Sequence, residues 1–138
     1  MQFMIVRKAD AQTEAGVMPT EEQLSSMLQY NQEMLDAGVL LDGQGLHPTS
    51  NAARIKFSDG VPTVTDGPFT EAKELIAGFT MIQVDSREEA LEWVRKWPEE
   101  EVELELRQVF SAEDFGDEFT PALQEQEARL REQAAQRS

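Results

Sequence analysis

The sequence contains no cysteine, a single histidine and a single tyrosine. Without cysteine the chain can hold neither a disulfide framework nor a thiolate metal site, and it has no thiol nucleophile. Basic residues are scarce: 12 Lys and Arg stand against 27 Asp and Glu, a formal charge of -15. That balance repels nucleic-acid phosphates and anionic lipid, so direct binding to either is not expected. No run approaches the roughly 20 apolar residues of a membrane span, and the N-terminal "MQFMIVRKAD" has neither the basic leader nor the apolar length of a secretory signal. A cytoplasmic location is therefore expected. One histidine and scattered carboxylates lack dense ligand spacing, and no Gly-rich phosphate loop precedes a helix, so neither metal nor cofactor is expected.

What is present suffices for one globular domain: 138 residues, 40% of them hydrophobic,. The consecutive apolar and β-branched residues of "QFMIVRK" predict a strand over Gln2 to Lys8 that is buried on both faces. Thr20 and Gln23 have capping-box spacing, and Leu24, Met27, Leu28, Met34 and Leu35 recur at helical intervals until Gly38, predicting a helix over Glu21 to Ala37. "VLLDGQGL" reads as a second strand. "AARIKFS" reads as a third that turns Ala53, Ile55 and Phe57 inward and Arg54, Lys56 and Ser58 outward. Asp59 and Gly60 supply a turn into "VPTVT", an edge hairpin partner because Pro62 cannot donate to a ladder.

"LIAGFTMIQV" is the strongest strand signal, with Ile76, Ile82 and Val84 on one face and Ala77, Phe79 and Met81 on the other. Ser86 and Glu89 form another capping box, and a stripe of Ala90, Leu91, Val94 and Trp97 predicts a helix ended by Pro98. "VELELRQVF" closes the domain as a strand, Leu104 and Leu106 facing opposite to Glu103, Glu105 and Arg107. Residues 111–138 shift to Glu, Gln, Ala and Arg and form an acidic, helix-prone extension whose apolar stripe is thin.

The order matches an α+β, ferredoxin-like β-α-β-β-α-β arrangement with an inserted hairpin. Two helices cover one face of such a sheet, and strands apolar on both sides then leave a patch that monomers rarely expose. A homodimer packed sheet against sheet is the expected solution.

Between the hairpin and the central strand lies "VTDGPFTEAKE". Asp66, Gly67 and Pro68 have turn chemistry, and Phe69 can pin the loop to the core. That reading leaves the crowding of Glu71, Lys73 and Glu74 unexplained. The stretch from Val64 to Pro98, with Asp66, Gly67, Pro68, Phe69, Glu71, Lys73, Glu74 and Gly78 in register and "SREEALEW" after them, resembles the DGPF or YCII-related family of small bacterial proteins. "AGVLLDGQGLHP" upstream and "ELRQV" downstream extend the resemblance over residues 1–110. Relatives commonly carry Arg-Pro where this chain has Arg107-Gln108.

The resemblance implies a dimeric α/β-barrel without implying a settled reaction. Many such proteins are linked to extracytoplasmic-function sigma factors, which implies a regulatory partner. More distant relatives resemble enzymes that use a His/Asp pair in lyase-type chemistry. Asp66 is then either a turn-former or a general base. His47, in the loop "GLHPTS", is either an incidental surface residue or a base near neutral pH. Lys73 and Glu71 form either a solvated surface turn or the rim of a pocket in which Lys73 orients an anion. Alternation aims Arg107 at the dimer cavity, where Asp66, Glu105 or a ligand carboxylate should pair with it. Arg54 either joins that group or guards an edge. The first function expected is an unidentified small molecule bound in a cleft by Asp66, His47, Lys73, Arg107, Glu71, Phe69 and Arg54. The alternative is a non-catalytic interaction module that uses the acidic surface and the extension. Trp93 and Trp97 are expected as packing residues.

Overall fold

A computed structural model describes residues 1–71 and 74–137. Lys73, one of the expected site residues, lies outside them. Two compact units result, Met1–Gln108 and Val109–Ser138.

The first unit runs β1 (Gln2–Lys8), α1 (Ala11–Glu14), α2 (Glu21–Asp36), β2 (Leu40–Gly45), a 3-10 turn (Thr49–Asn51), β3 (Ala53–Ser58), β4 (Val61–Asp66), β5 (Ile76–Gln83), α3 (Arg87–Val94) and β6 (Leu104–Gln108). Four strands form an antiparallel sheet in the order β2-β5-β1-β6, with the strongest strand signal, β5, inside it. Two kinds of cross-strand row alternate along it. Ile82 lies opposite Phe3, and Thr80 opposite Ile5, which in turn faces Leu106. This side meets the helices: Phe3, Ile5, Ile82 and Val84 pack with Tyr30, Met34 and Ala90, while Leu104 and Leu106 close the edge. Burying a side chain the size of Ile82 or Met34 contributes about 1.5–3 kcal/mol. Gly78 sits where β2 comes close, since an added Cβ would lie 2.9 Å from the Gln44 carbonyl oxygen.

Thr20 and Gln23 make the predicted capping box, at 3.2 Å and 2.9 Å. The buried face of α2 matches the predicted stripe only at its methionines, Met34 being buried and Met27 packed against the core. Leu24, Leu28 and Leu35 are 51%, 67% and 57% exposed, whereas Tyr30 and Met34 are buried. Tyr30 decides the rotation of the helix. Its ring meets Trp97 edge-on at 5.7 Å and Trp93 at 6.3 Å, and its hydroxyl donates to the Trp93 carbonyl at 2.6 Å. The largest amphipathic side chain thus takes the inward face and the leucines turn out. Burial pushes the Tyr30 hydroxyl up to about 12. Helix α3 stops at Val94, and Trp97 reaches the aromatic cluster from the turn that follows, where its backbone amide donates to the Val94 carbonyl.

The hairpin corrects a second expectation. β3 and β4 form a two-stranded sheet of their own, Ile55 opposite Val64 and Phe57 opposite Pro62, and every residue in both strands is exposed. Alternation does gather Ile55, Phe57, Pro62 and Val64 on one side, but among the described residues of the first unit no core lies beneath it. An isolated pair of strands is marginal in water, so its apolar side calls for cover.

In the second unit, Phe115 packs between Phe110 and Phe119, at 5.1 Å and 5.4 Å. Thr120 caps α4 (Pro121–Gln136), which buries no residue.

Candidate functional site

The DGPF turn is built on the 3-10 turn ahead of β3. The Ala52 amide donates to the Thr49 carbonyl at 3.0 Å, and the Gly67 amide donates to the Ala52 carbonyl at 2.8 Å, closing the root of the hairpin from both strands. Gly67 has to be glycine here, because a Cβ would overlap the Thr49 carbonyl oxygen,. The Gly67–Pro68 peptide is cis. Next along the chain, the Phe69 amide donates to the Thr49 hydroxyl oxygen at 3.0 Å.

Thr49 is buried and fully engaged. Its hydroxyl donates to Glu14 Oε2 at 2.5 Å, and its amide donates to Glu14 Oε1 at 3.1 Å. A buried threonine on a carboxylate is a charge-assisted arrangement, shorter and stronger than a neutral pair.

Three of the expected site residues meet above this base. The Arg54 guanidinium lies over the Phe69 ring, 3.9 Å from its centroid, and donates to Glu71 Oε2 at 3.1 Å. Hydrogen bonds from Glu71's own amide and from Arg54 hold the Glu71 carboxyl below its usual range. Both partners of this pair are about half exposed, 50% and 48%, so the bridge orients the rim without adding much stability,. Among the described residues, no hydrogen bond or ion pair brings His47, Asp66 or Arg107 to this trio. His47 Nδ1 is 2.8 Å from Asn51 Nδ2, with the amide assigned as donor,. Asp66 ends β4 opposite Ala53 and is exposed. Among the described residues no hydrogen bond or ion pair joins His47, Asp66 and Arg107.

Arg107 belongs to the sheet side turned away from the helices. Asp42, Met81, Met4 and Arg107 form one cross-strand row, and Gln44, Phe79, Val6 and Glu105 form the next. An apolar centre, buried at Val6 and half-buried at Met4, Phe79 and Met81, is thus flanked by polar groups on both edge strands. Glu105 lies 3.6 Å from Arg107 Nη1 and 4.0 Å from Lys8 Nζ, so one carboxylate is shared loosely by two cations. Arg107 itself is 72% exposed, which leaves most of its donors available.

Several residues carried no sequence signal. Glu14 and Thr49 are 35 positions apart and meet only in the fold. Arg7 grips Glu99 with two hydrogen bonds, 2.9 Å and 2.7 Å, and the Trp97 indole N–H donates to the same carboxylate at 3.0 Å. The bond to Arg7 holds Glu99 below its ordinary value, and the bond to Glu99 raises Arg7. This lock borders a cleft of about 980 Å³ whose walls carry Asp10, Glu22, Glu99, Glu100, Glu101 and Glu103 against Arg7 and Lys8. Such a wall repels anions, and its one well-buried guanidinium is already satisfied. Among the described residues no group of three or more His, Asp or Glu side chains could hold a metal ion, and no helix is long and apolar enough to cross a membrane.

A four-stranded antiparallel sheet with helices packed on one face defines an α+β protein. The chain belongs to the YCII-related domain family, which matches residues 1–113. It is also similar to an uncharacterized protein of Rhizobium meliloti (strain 1021), 36% identical over 75 residues. The match takes in 54% of this chain and spans 60% of the relative's length.

Proposed function

We propose that the chain acts as a cytoplasmic homodimer of the ferredoxin-like, dimeric α/β-barrel type, binding a small anionic molecule between the two sheets. The observation that carries this reading is the row Asp42–Met81–Met4–Arg107 beside Gln44–Phe79–Val6–Glu105. It combines an apolar floor with a cation that is only loosely paired, which is the composition of a small-molecule site. The strand order β2-β5-β1-β6 supports the topology, and the exposed apolar face of the hairpin supports the dimer. Arg107 would hold a ligand carboxylate or phosphate. Arg54, Phe69 and Glu71 would form the rim. Acid/base or lyase-like chemistry would fall to Asp66 and His47. No hydrogen bond or ion pair joins these two among the described residues, which makes binding the better-supported half of the proposal.

The test is a thermal-shift and calorimetric screen of small carboxylates and phosphorylated metabolites. A ligand that stabilises the wild type should lose at least about tenfold in affinity in Arg107→Ala, the scale of one charge-assisted contact. Unchanged binding in Arg107→Ala and in Asp66→Ala would refute the assignment.

A second reading has its own support. The charge of -15 and an extension that exposes Phe110, Phe115, Leu123 and Leu130 suit an interaction module, for example one that engages an extracytoplasmic-function sigma factor,. Deleting residues 111–138 should then abolish capture of the purified sigma factor. Undiminished capture would count against it.

A further inference from the structure

Short helix α1 has no place in the core, since none of its residues is buried. Yet the segment containing it holds the DGPF loop at both ends. At the far end, the Ala9 amide donates to the Leu75 carbonyl at 2.9 Å, and both residues are buried. At the near end, the Glu14 carboxylate takes the amide and hydroxyl of Thr49, and the hydroxyl oxygen takes the Phe69 amide. The Thr49 carbonyl in turn receives the Ala52 amide, and the Ala52 carbonyl receives the Gly67 amide. Two bonds at the root of the hairpin therefore meet on one threonine, whose carbonyl takes the Ala52 amide and whose hydroxyl oxygen takes the Phe69 amide, and one carboxylate orients that threonine. A hydroxyl that donates to an anion is polarised into a better acceptor, so the Glu14 and Phe69 bonds reinforce each other.

From this chain of contacts we infer that Glu14 and Thr49 are positioning residues, the post that sets the DGPF turn and aims the β3–β4 arm at a second copy of the chain. The aim rests on the homodimer reading above; the post does not. The arm presents Ile55, Phe57, Pro62 and Val64 on one side, with Ile55, Phe57 and Val64 at 54%, 69% and 63% exposure. A rigid root is what lets such a pair of strands meet a partner without first losing the entropy of a swinging loop. Thr49 and Glu14 act on the rim only through Phe69, Gly67 and the hairpin, so their substitution should move the loop and leave the sheet intact.

The experiment is amide hydrogen exchange by NMR on the full chain, with sedimentation of the same samples, for wild type, Thr49→Val, Thr49→Ser, Glu14→Ala and Glu14→Gln. Loss of one hydrogen bond should raise exchange of the Phe69 amide roughly tenfold in Thr49→Val. Amides of β1 and β5 should stay at wild-type rates, and Thr49→Ser, which keeps the oxygen, should restore Phe69 protection. Glu14→Ala should follow Thr49→Val, and Glu14→Gln should fall between. The dimer should weaken in Thr49→Val and Glu14→Ala and recover in Thr49→Ser. Wild-type Phe69 protection in Thr49→Val, or exchange that rises equally across β1 and β5, overturns the post. Faster Phe69 exchange with undiminished dimerisation overturns the aim. A wild type that sediments as a single chain sinks the homodimer reading and the aim together, while the exchange comparison still decides the post.

Discussion

The four-stranded sheet and the β3–β4 hairpin carry similar patterns and meet opposite fates. β5 alternates between a side that packs on α2 and α3, where Ile82 is fully buried, and a side turned away from them, where Phe79 and Met81 are half-buried. β3 alternates as cleanly, yet its apolar residues Ile55 and Phe57 stay in solvent. Period-two patterning says which residues share a side and nothing about what covers that side. Cover comes from elements that must be found elsewhere. For the sheet they are α2 and α3; for the hairpin no element among the described residues of the first unit supplies it.

The sharpest way to break this contrast is to truncate one residue in each region. Ile82→Ala should cost about 2–5 kcal/mol in urea denaturation, the range for a filled core site. Phe57→Ser should change folding stability by no more than about 0.5 kcal/mol, as exposed positions do, while weakening dimerisation. Equal costs would mean that the hairpin is part of the monomer's core after all.

Gly67→Ala probes the junction of the two regions. Overlap with the Thr49 carbonyl oxygen should cost about 1–3 kcal/mol, the scale of local overpacking, measured by the same titration,. A neutral outcome would show that the root yields easily.

Glu99→Gln tests the lock between β1 and the segment after α3. Its charged hydrogen bonds to a mostly buried Arg7 should make the loss about 2 kcal/mol at neutral pH,. Because the folded carboxyl is held below the ordinary 4.5, this stability is present above that value and is lost as pH falls through the lower, folded one,. In Glu99→Gln the stability curve should be flatter across that acid range.

The smallest expected effect concerns Tyr30, the sole tyrosine. Its ultraviolet titration should have a midpoint at about 12 instead of 10.0, because burial raises it. The stability tied to this shift is present below 10.0 and is lost as pH rises toward about 12,. Tyr30→Phe should cost about 1 kcal/mol through the bond to the Trp93 carbonyl. A midpoint near the ordinary value would break the account of why α2 turns its leucines outward.

These tests fall where the sequence was least informative. Local signals were legible: the Thr20–Gln23 box, the β5 run, and the opposed sides of Leu104 and Leu106 against Glu105 and Arg107 each follow from neighbours in the chain. The predicted α2 stripe of Leu24, Met27, Leu28, Met34 and Leu35 holds only at its methionines, because Tyr30 finds its aromatic neighbours Trp93 and Trp97 more than sixty positions on. In the candidate site, the meeting of Arg54, Phe69 and Glu71 spans one hairpin and one turn. Glu14 and Thr49 have no such proximity, and a glutamate before a polar loop looks like any other surface acid among 27 acidic residues.

The proposal on which most depends is a second copy that covers the hairpin face and the sheet side turned away from the helices. Analytical ultracentrifugation of the full chain at low micromolar concentration tests it most directly. The account predicts a species of twice the single-chain mass, reduced toward one chain by Phe57→Ser. A folded wild type that sediments at the mass of one chain would contradict it.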